Sequence, residues 1–207
     1  MSIEDIYVKD VYNKIASRFS ITRAYLWRGV KRFISELETD SLVLDSGCGN
    51  GKNMFRKDCQ FIGVDMSQSM VDIVNKQGKN AIVADTRNLP FRDNYFDACI
   101  SIAVIHHIKD RSDRIKAIDE MIRVTKQRGK IFIQVWEDMI NKTDKFEKIS
   151  DHGDYLVKWD NRDGIEYKRY YHLFENGELD SLIDQTKVNI IDNFYECQNW
   201  CIILQKI

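Results

Sequence analysis

Between positions 7 and 37, apolar residues recur near helical spacing: Val8, Val11, Tyr12, Ile15 and Phe19, then Leu26, Val30, Phe33, Ile34 and Leu37. This predicts two amphipathic helices, broken around Ser20-Ile21-Thr22, that cap the fold over 1–38. The pattern then changes to short apolar runs ended by Gly or Asp: "SLVLDSG", "CQFIGVD", "NAIVAD", "FDACISIAV" and "GKIFIQVW". Helical segments such as "SQSMVDIVNKQ" and "SDRIKAIDEMIRV" lie between them. Strands alternating with helices predict an α/β fold with a mostly parallel sheet covered on both faces. A polar stretch over 137–163 has little periodicity. It is followed by "IEYKRYYHLF", a short helical run "NGELDSLIDQ", and two strand-like runs that predict an antiparallel hairpin around Gln198-Asn199.

At 207 residues, with one proline and no repeat, the chain fits a single domain over 1–207, in which 137–175 is a substrate-side insertion. A net charge of -1 gives no long-range pull on a polyanion, so any RNA must be met by local patches or a second protein. No cationic leader opens the sequence and no run spans a bilayer, so a cytoplasmic protein, with room for a nuclear pool, is expected. The five cysteines form no C-x-x-C pair, which suits reduced thiols, and no metal site is expected.

Chemistry concentrates in "VLDSGCGNGKN": a strand, the acid Asp45, and Gly47, Gly49 and Gly51 leading into an expected helix. Glycines let backbone amides approach a ligand, and a helix start adds partial positive charge. The G-x-G-x-G spacing departs from the G-x-G-x-x-G of nicotinamide enzymes. Asp65 in "FIGVD" can take both ribose hydroxyls, and Asp85 in "AIVAD" can accept from an adenine amine. Three strand-end acids in series fit an adenosyl ligand across the carboxyl edge of the sheet.

The order "DSGCGNG", "GVD", "ADTRNLPF", "FDACISIAVIHHI", "RVTKQRGKIFI" resembles the Rossmann-like class I S-adenosylmethionine-dependent methyltransferases. The resemblance implies seven strands in the order three-two-one-four-five-seven-six with the last antiparallel, and S-adenosyl-L-methionine as cofactor. It adds Tyr12, Met66, Thr86 and Ser101 to the cofactor residues.

"VYNKIASRFSITR", "ISIAVIHHI", "VW", "DYLVKW", "RYYHLFENGEL" and the terminal "NW" narrow this to a resemblance with the eukaryotic tRNA wobble-uridine methyltransferases. These include the methyltransferase domain fused to an AlkB-type hydroxylase in animals. Lys158, where the family usually has proline, "DSGCG" and a short 137–153 linker depart from the family pattern. The implied reaction is methyl transfer to the carboxylate of 5-carboxymethyluridine at the wobble position of the tRNA anticodon loop.

A carboxylate is ionised at pH 7 and needs no base, so the protein's task is to hold one oxygen in line with the methyl group and grip only the other. Mixed donors are expected, Arg23 with one histidine of the pair His106 and His107. Adjacent residues diverge, so one faces substrate, expected to be His107, and the other braces the loop.

The resemblance places Trp136, Trp159, Arg169, Tyr170, Tyr171 and His172 on the substrate side. Arg111, Arg114, Arg123, Lys126, Arg128, Lys168 and Arg169 are candidates for the phosphate backbone. Edge strand residues Ala81, Ile82, Val83 and Ala84 carry no charged gatekeeper, and the family supplies an occupant: a small zinc-binding activator subunit that forms a heterodimer by sheet extension. Two competing readings are a methyltransferase acting on quinone- or sterol-type small molecules, and a non-catalytic scaffold that keeps the fold and binds RNA.

Overall fold

A computed structural model describes residues 1–23, 25–138 and 143–207. Position 24 of the expected capping segment and positions 139–142 of the expected insertion lie outside the described residues. A π-helical turn, Asp5–Lys9, runs directly into α1, Asp10–Thr22, which buries Val11, Ile15 and Ala16. The helix continues through Ser20-Ile21-Thr22, where a break was expected. No Gly or Pro interrupts it there, and Thr22 closes it by donating its hydroxyl to the Phe19 carbonyl at 2.9 Å. α1 ends at Thr22, and α2, Arg28–Ser35, packs Val30, Phe33 and Ile34 against the sheet.

The strands that follow are β1 (Leu42–Ser46), β2 (Gln60–Asp65), β3 (Ala81–Val83), β4 (Phe96–Ile102) and β5 (Thr125–Trp136), with α3 (Gln68–Lys76) and α4 (Arg111–Val124) between them. Downstream lie β6 (Phe146–Lys148), β7 (Asp154–Asp160), β8 (Glu166–His172), β9 (Val188–Glu196) and β10 (Asn199–Lys206). The main sheet has seven strands in the order β3-β2-β1-β4-β5-β10-β9. β10 is antiparallel to both its neighbours and the other paired strands run parallel, which is the expected class I order. β1, β4 and the Ile131–Val135 part of β5 are buried on both faces, which is why they read as unbroken apolar runs.

Three expectations are corrected. The glycine loop enters no helix: 47–59 is a series of turns, tied by Gly51 N–H to the Cys48 carbonyl (2.9 Å) and Met54 N–H to the Gly51 carbonyl (3.2 Å). The closing hairpin turns at Cys197-Gln198, both at positive φ, one residue before the expected position. The segment "NGELDSLIDQ" makes only a short 3₁₀ turn, Asp180–Leu182.

β6 and β7, from the polar stretch, pair with β8, from "IEYKRYYHLF", as a second, antiparallel sheet, β6-β7-β8. Its β8 packs Tyr170 against Val8 near the N-terminus. That contact brings the N-terminal helix, the histidine segment and β8 around one cavity.

Candidate active site

A cavity of about 400 Å³ opens at the carboxyl ends of β1, β2 and β4, between α1 and β8. This is where a doubly wound sheet receives its ligand. Of the residues expected to hold the cofactor, Tyr12, Gly47, Gly49, Asp65, Met66, Asp85 and Thr86 line it. Of those expected to act on substrate, Arg23, His106, His107, Trp136, Arg169 and Tyr171 line it as well.

At the cofactor end, the left-handed backbone of Gly47 (φ +84) and Gly49 (φ +51) folds the loop over the end of β1. A Cβ on Gly47 would run into the Val104 side chain, whereas Gly49 faces open space. Asp65 accepts the N–H groups of Gly49 and Ser67, each at 2.9 Å, so it is fixed in place with lone pairs to spare. Burial raises its pKa, against the lowering effect of those amides.

Asp45 and Ser101 sit behind this wall, fully buried, and Gly51 is likewise outside the cavity lining. Among the described residues neither Asp45 oxygen has a hydrogen-bond partner at proper distance, and the Ser101 hydroxyl has none. Asn53 is near enough to Asp45 to lower its pKa slightly, but burial and then the negative charge of Asp65 push it up to about 7. An acid held this way favours a cation nearby, which fits a sulfonium cofactor.

Asp85 differs from expectation. Arg87 grips both of its oxygens at 2.7–3.1 Å and also reaches Asp113 at 2.7 Å. Burial alone would raise the Asp85 pKa, but Arg87 holds it below the ordinary value. An adenine amine would have to share this carboxylate.

The histidines do not end a strand. After β4 the chain takes a left-handed step at Ala103 (φ +61) into a 3₁₀ turn, Ile105–His107. The two rings then do different work: both line the cavity, but His107, expected to face substrate, has both nitrogens engaged within the protein. His107 Nδ1 lies 2.6 Å from the Tyr170 carbonyl, which can only accept, so Nδ1 carries the hydrogen. Nε2 then accepts from the Tyr12 hydroxyl at 3.0 Å, which occupies both nitrogens. His106 has the opposite tautomer: Nδ1 accepts the Trp136 backbone N–H at 3.2 Å, leaving Nε2–H with no protein partner among the described residues. Burial holds both rings neutral, His107 lowered to about 3 and His106 well below its ordinary value.

Around His106, Tyr171 stacks at 4.9 Å, and Trp136 stacks in turn on Tyr171 at 4.7 Å. Trp159 lies outside the lining but carries two guanidiniums on its ring, Arg23 at 5.6 Å and Arg169 at 5.0 Å. Tyr170 and His172 are corrected. Side chains alternate along β8, so when Arg169 and Tyr171 face the cavity these two face away. The Tyr170 hydroxyl donates to Asp154 (2.6 Å), and His172 bridges Asp154 (2.9 Å) and Glu178 (2.6 Å).

The cations proposed for the phosphate backbone are mostly engaged within the protein. Arg114 is buried against Glu178 and the carbonyls of Ile108 and Lys109, and Arg111 bonds the Ser181 carbonyl. Arg123 pairs with Glu120 and Asp93, Lys126 with Asp97, and Lys168 with Glu147. Arg128 takes a left-handed conformation (φ +62) within β5, and only Arg169 of this set lines the cavity.

Lys52 and Arg87 line the cavity without having been singled out from the sequence. Lys52 followed directly on Gly51 in "GNGKN", which was its one visible signal. Its ammonium lies 4.1 Å from the Trp27 ring centroid and donates to the Tyr25 carbonyl, and burial, then Arg23, lowers its pKa to about 8.

Comparison with known proteins follows the same lines. The family described as "Methyltransferase domain" matches residues 44–133. The tRNA (carboxymethyluridine(34)-5-O)-methyltransferase of Schizosaccharomyces pombe is 33% identical, over 98% of this chain and 97% of that protein. The tRNA (carboxymethyluridine(34)-5-O)-methyltransferase alkbh8 of Xenopus tropicalis is 34% identical over all of this chain, which spans only 42% of that protein's length. Among solved structures, a chain in the complex between the Haloferax volcanii Trm112 methyltransferase activator and a methyltransferase superposes with a TM-score of 0.71. It is 15% identical, over 96% of this chain and 97% of that one, a likeness of fold. The sheet order and the match to the Schizosaccharomyces pombe protein over nearly the whole of both chains agree, and the chain belongs to the S-adenosylmethionine-dependent tRNA (carboxymethyluridine(34)-5-O)-methyltransferases.

Proposed function

We propose that this chain methylates the carboxylate of 5-carboxymethyluridine at the tRNA wobble position, giving the methyl ester. The observation that carries the reading is the continuity of one cavity from Asp65 and the glycine loop to the unpartnered His106 Nε2–H. S-adenosylmethionine, when bound, supplies an electrophilic methyl group. Asp65, fixed by the Gly49 and Ser67 amides, would hold the ribose, and Asp45 favours the cofactor's positive charge from behind the loop.

The substrate carboxylate arrives ionised, so no side chain has to remove a proton. His106, neutral and locked in one tautomer, donates Nε2–H to a single carboxylate oxygen and leaves the other free to attack. A neutral donor draws less electron density from the nucleophile than a charged clamp on both oxygens would. His107, Tyr12 and the Tyr170 carbonyl keep the neighbouring turn in register. Trp136 and Tyr171 offer a stacked wall for the pyrimidine ring. Arg23, half-buried over the Phe19 and Trp159 rings, meets the anionic side of the nucleotide.

An activator subunit docking on β3 completes the reading. β3 is a three-residue edge strand with Ile82 37% and Val83 47% exposed, which suits extension of the sheet by a partner strand. Labelled S-adenosylmethionine and tRNA bearing 5-carboxymethyluridine, incubated with and without a zinc-binding activator subunit, test both parts. Ester formation that depends on the subunit is expected. Cofactor binding without transfer under either condition would redirect the assignment to small-molecule acceptors.

A further inference from the structure

Arg169 is 3% exposed and yet lines the cavity. Its guanidinium meets only tyrosine hydroxyls, that of Tyr171 from Nη1 at 2.7 Å and that of Tyr12, while Nε is buried with no partner among the described residues. The guanidinium lies over the rings of Trp159 (5.0 Å) and Tyr171 (5.1 Å), and among the described residues no carboxylate pairs with it. The acids of the cavity wall are committed elsewhere: Asp65 to backbone amides, Asp85 to Arg87, and Glu4 to the Lys109 N–H at 3.0 Å. A buried cation with only aromatic faces and two neutral tyrosine hydroxyls for company is costly to maintain, and an anion delivered into the cavity removes that cost.

We infer that Arg169 reads the charge of the methyl acceptor: it takes the substrate carboxylate, on the side of the oxygen that His106 holds, as its missing counter-ion and loses hold of the neutral ester once the methyl has moved. The inference rests on the proposed function. The reaction breaks the methyl carbon–sulfur bond and forms a carbon–oxygen bond. The sulfonium becomes a neutral thioether, the carboxylate becomes a neutral ester, and no proton is released. Both opposite charges vanish together, so Arg169 is compensated before transfer and uncompensated after it. The same residue should reject the carboxamide analogue, which matches the carboxylate in shape and lacks its charge. His106 selects geometry, and Arg169 selects charge.

The test measures binding of anticodon stem-loops to the full chain, purified with its activator subunit and held with S-adenosylhomocysteine so that no turnover occurs. The loops carry 5-carboxymethyluridine, its carboxamide, or its methyl ester. Wild type should bind the carboxylate loop about 100-fold or more tightly than either neutral loop. Arg169→Met should bind all three alike, at the neutral-loop level, while Arg169→Lys keeps part of the preference. Unchanged S-adenosylhomocysteine affinity shows that the variants fold, and the wild-type comparison needs no variant at all. Equal binding of the three loops by wild type, with the carboxylate loop still methylated, overturns the assignment of Arg169 alone. A carboxylate loop that is neither bound nor methylated overturns the proposed function, and this inference with it.

Discussion

Asp45 offers the sharpest energetic test of the cofactor end. Its carboxylate is fully buried, has no hydrogen-bond partner at proper distance among the described residues, and faces the charge of Asp65, so its pKa rises from 3.8 to about 7. A shift of that size corresponds to ~4 kcal/mol of cost for the ionised form, at ~1.4 kcal/mol per unit. The sign follows from linkage. The folded chain holds this proton more tightly than the unfolded chain, so the group costs nothing below the unfolded pKa. Stability is then lost as pH rises from the unfolded value through the folded one. Asparagine carries no charge and has no such slope.

Urea unfolding of wild type and Asp45→Asn, followed by tryptophan fluorescence, therefore reads the difference directly, with the opposing slopes of other carboxylates cancelling. Between pH 5 and pH 8 the difference should move by roughly 2–3 kcal/mol in favour of the variant. The fixed cost of burying the amide, about 1–3 kcal/mol, offsets the whole curve without tilting it. The variant should also gain less stability from added S-adenosylmethionine at pH 8, because the acid that favours a cation is gone. A difference that stays flat across this range, or tilts toward wild type as pH rises, refutes the reasoning.

Asp65→Ala removes the acceptor that ties Gly49 to Ser67 and should lower cofactor affinity by about 100-fold or more, read by calorimetric titration. Because both histidines are held neutral, the transfer rate should show no inflection near pH 6.5, and a histidine-like limb there would contradict the neutral donor. Tyr12→Phe frees His107 Nε2 and should cost about 1 kcal/mol of stability in the same urea assay, with a larger loss in kcat than in cofactor affinity. Val83→Lys should abolish co-purification with the activator subunit while the chain keeps its far-ultraviolet circular dichroism, since the β3 edge is exposed there.

How much of this was legible in the sequence depends on the range over which each feature is determined. The main sheet was legible because β1, β4 and β5 are buried on both faces, and burial of that kind leaves a continuous apolar run in the chain. The β6-β7-β8 sheet was not, because only part of it is buried: β6 exposes Glu147 and Lys148, and β7 carries Lys158 and Asp160 outward. Its pairing depends on contacts between segments rather than on a local period. The glycine loop announced its turns but not the missing helix, since 13 residues separate β1 from β2 and the turns consume them.

At the site, residue types were visible and roles were not. Nothing in "IHHI" says which imidazole is spent on the backbone; that follows from the Tyr170 carbonyl and the Trp136 amide, both distant in sequence. "RYYH" likewise mixes two faces of one strand, and only the alternation of β8 separates Arg169 and Tyr171, which face the cavity, from Tyr170 and His172, which brace it. Those two bracing residues still reach the chemistry. His172 and Asp154 hold β8, β8 sets the Tyr170 carbonyl, and that carbonyl fixes the tautomer of His107. The motif therefore encodes a charge reader and its support in alternate positions.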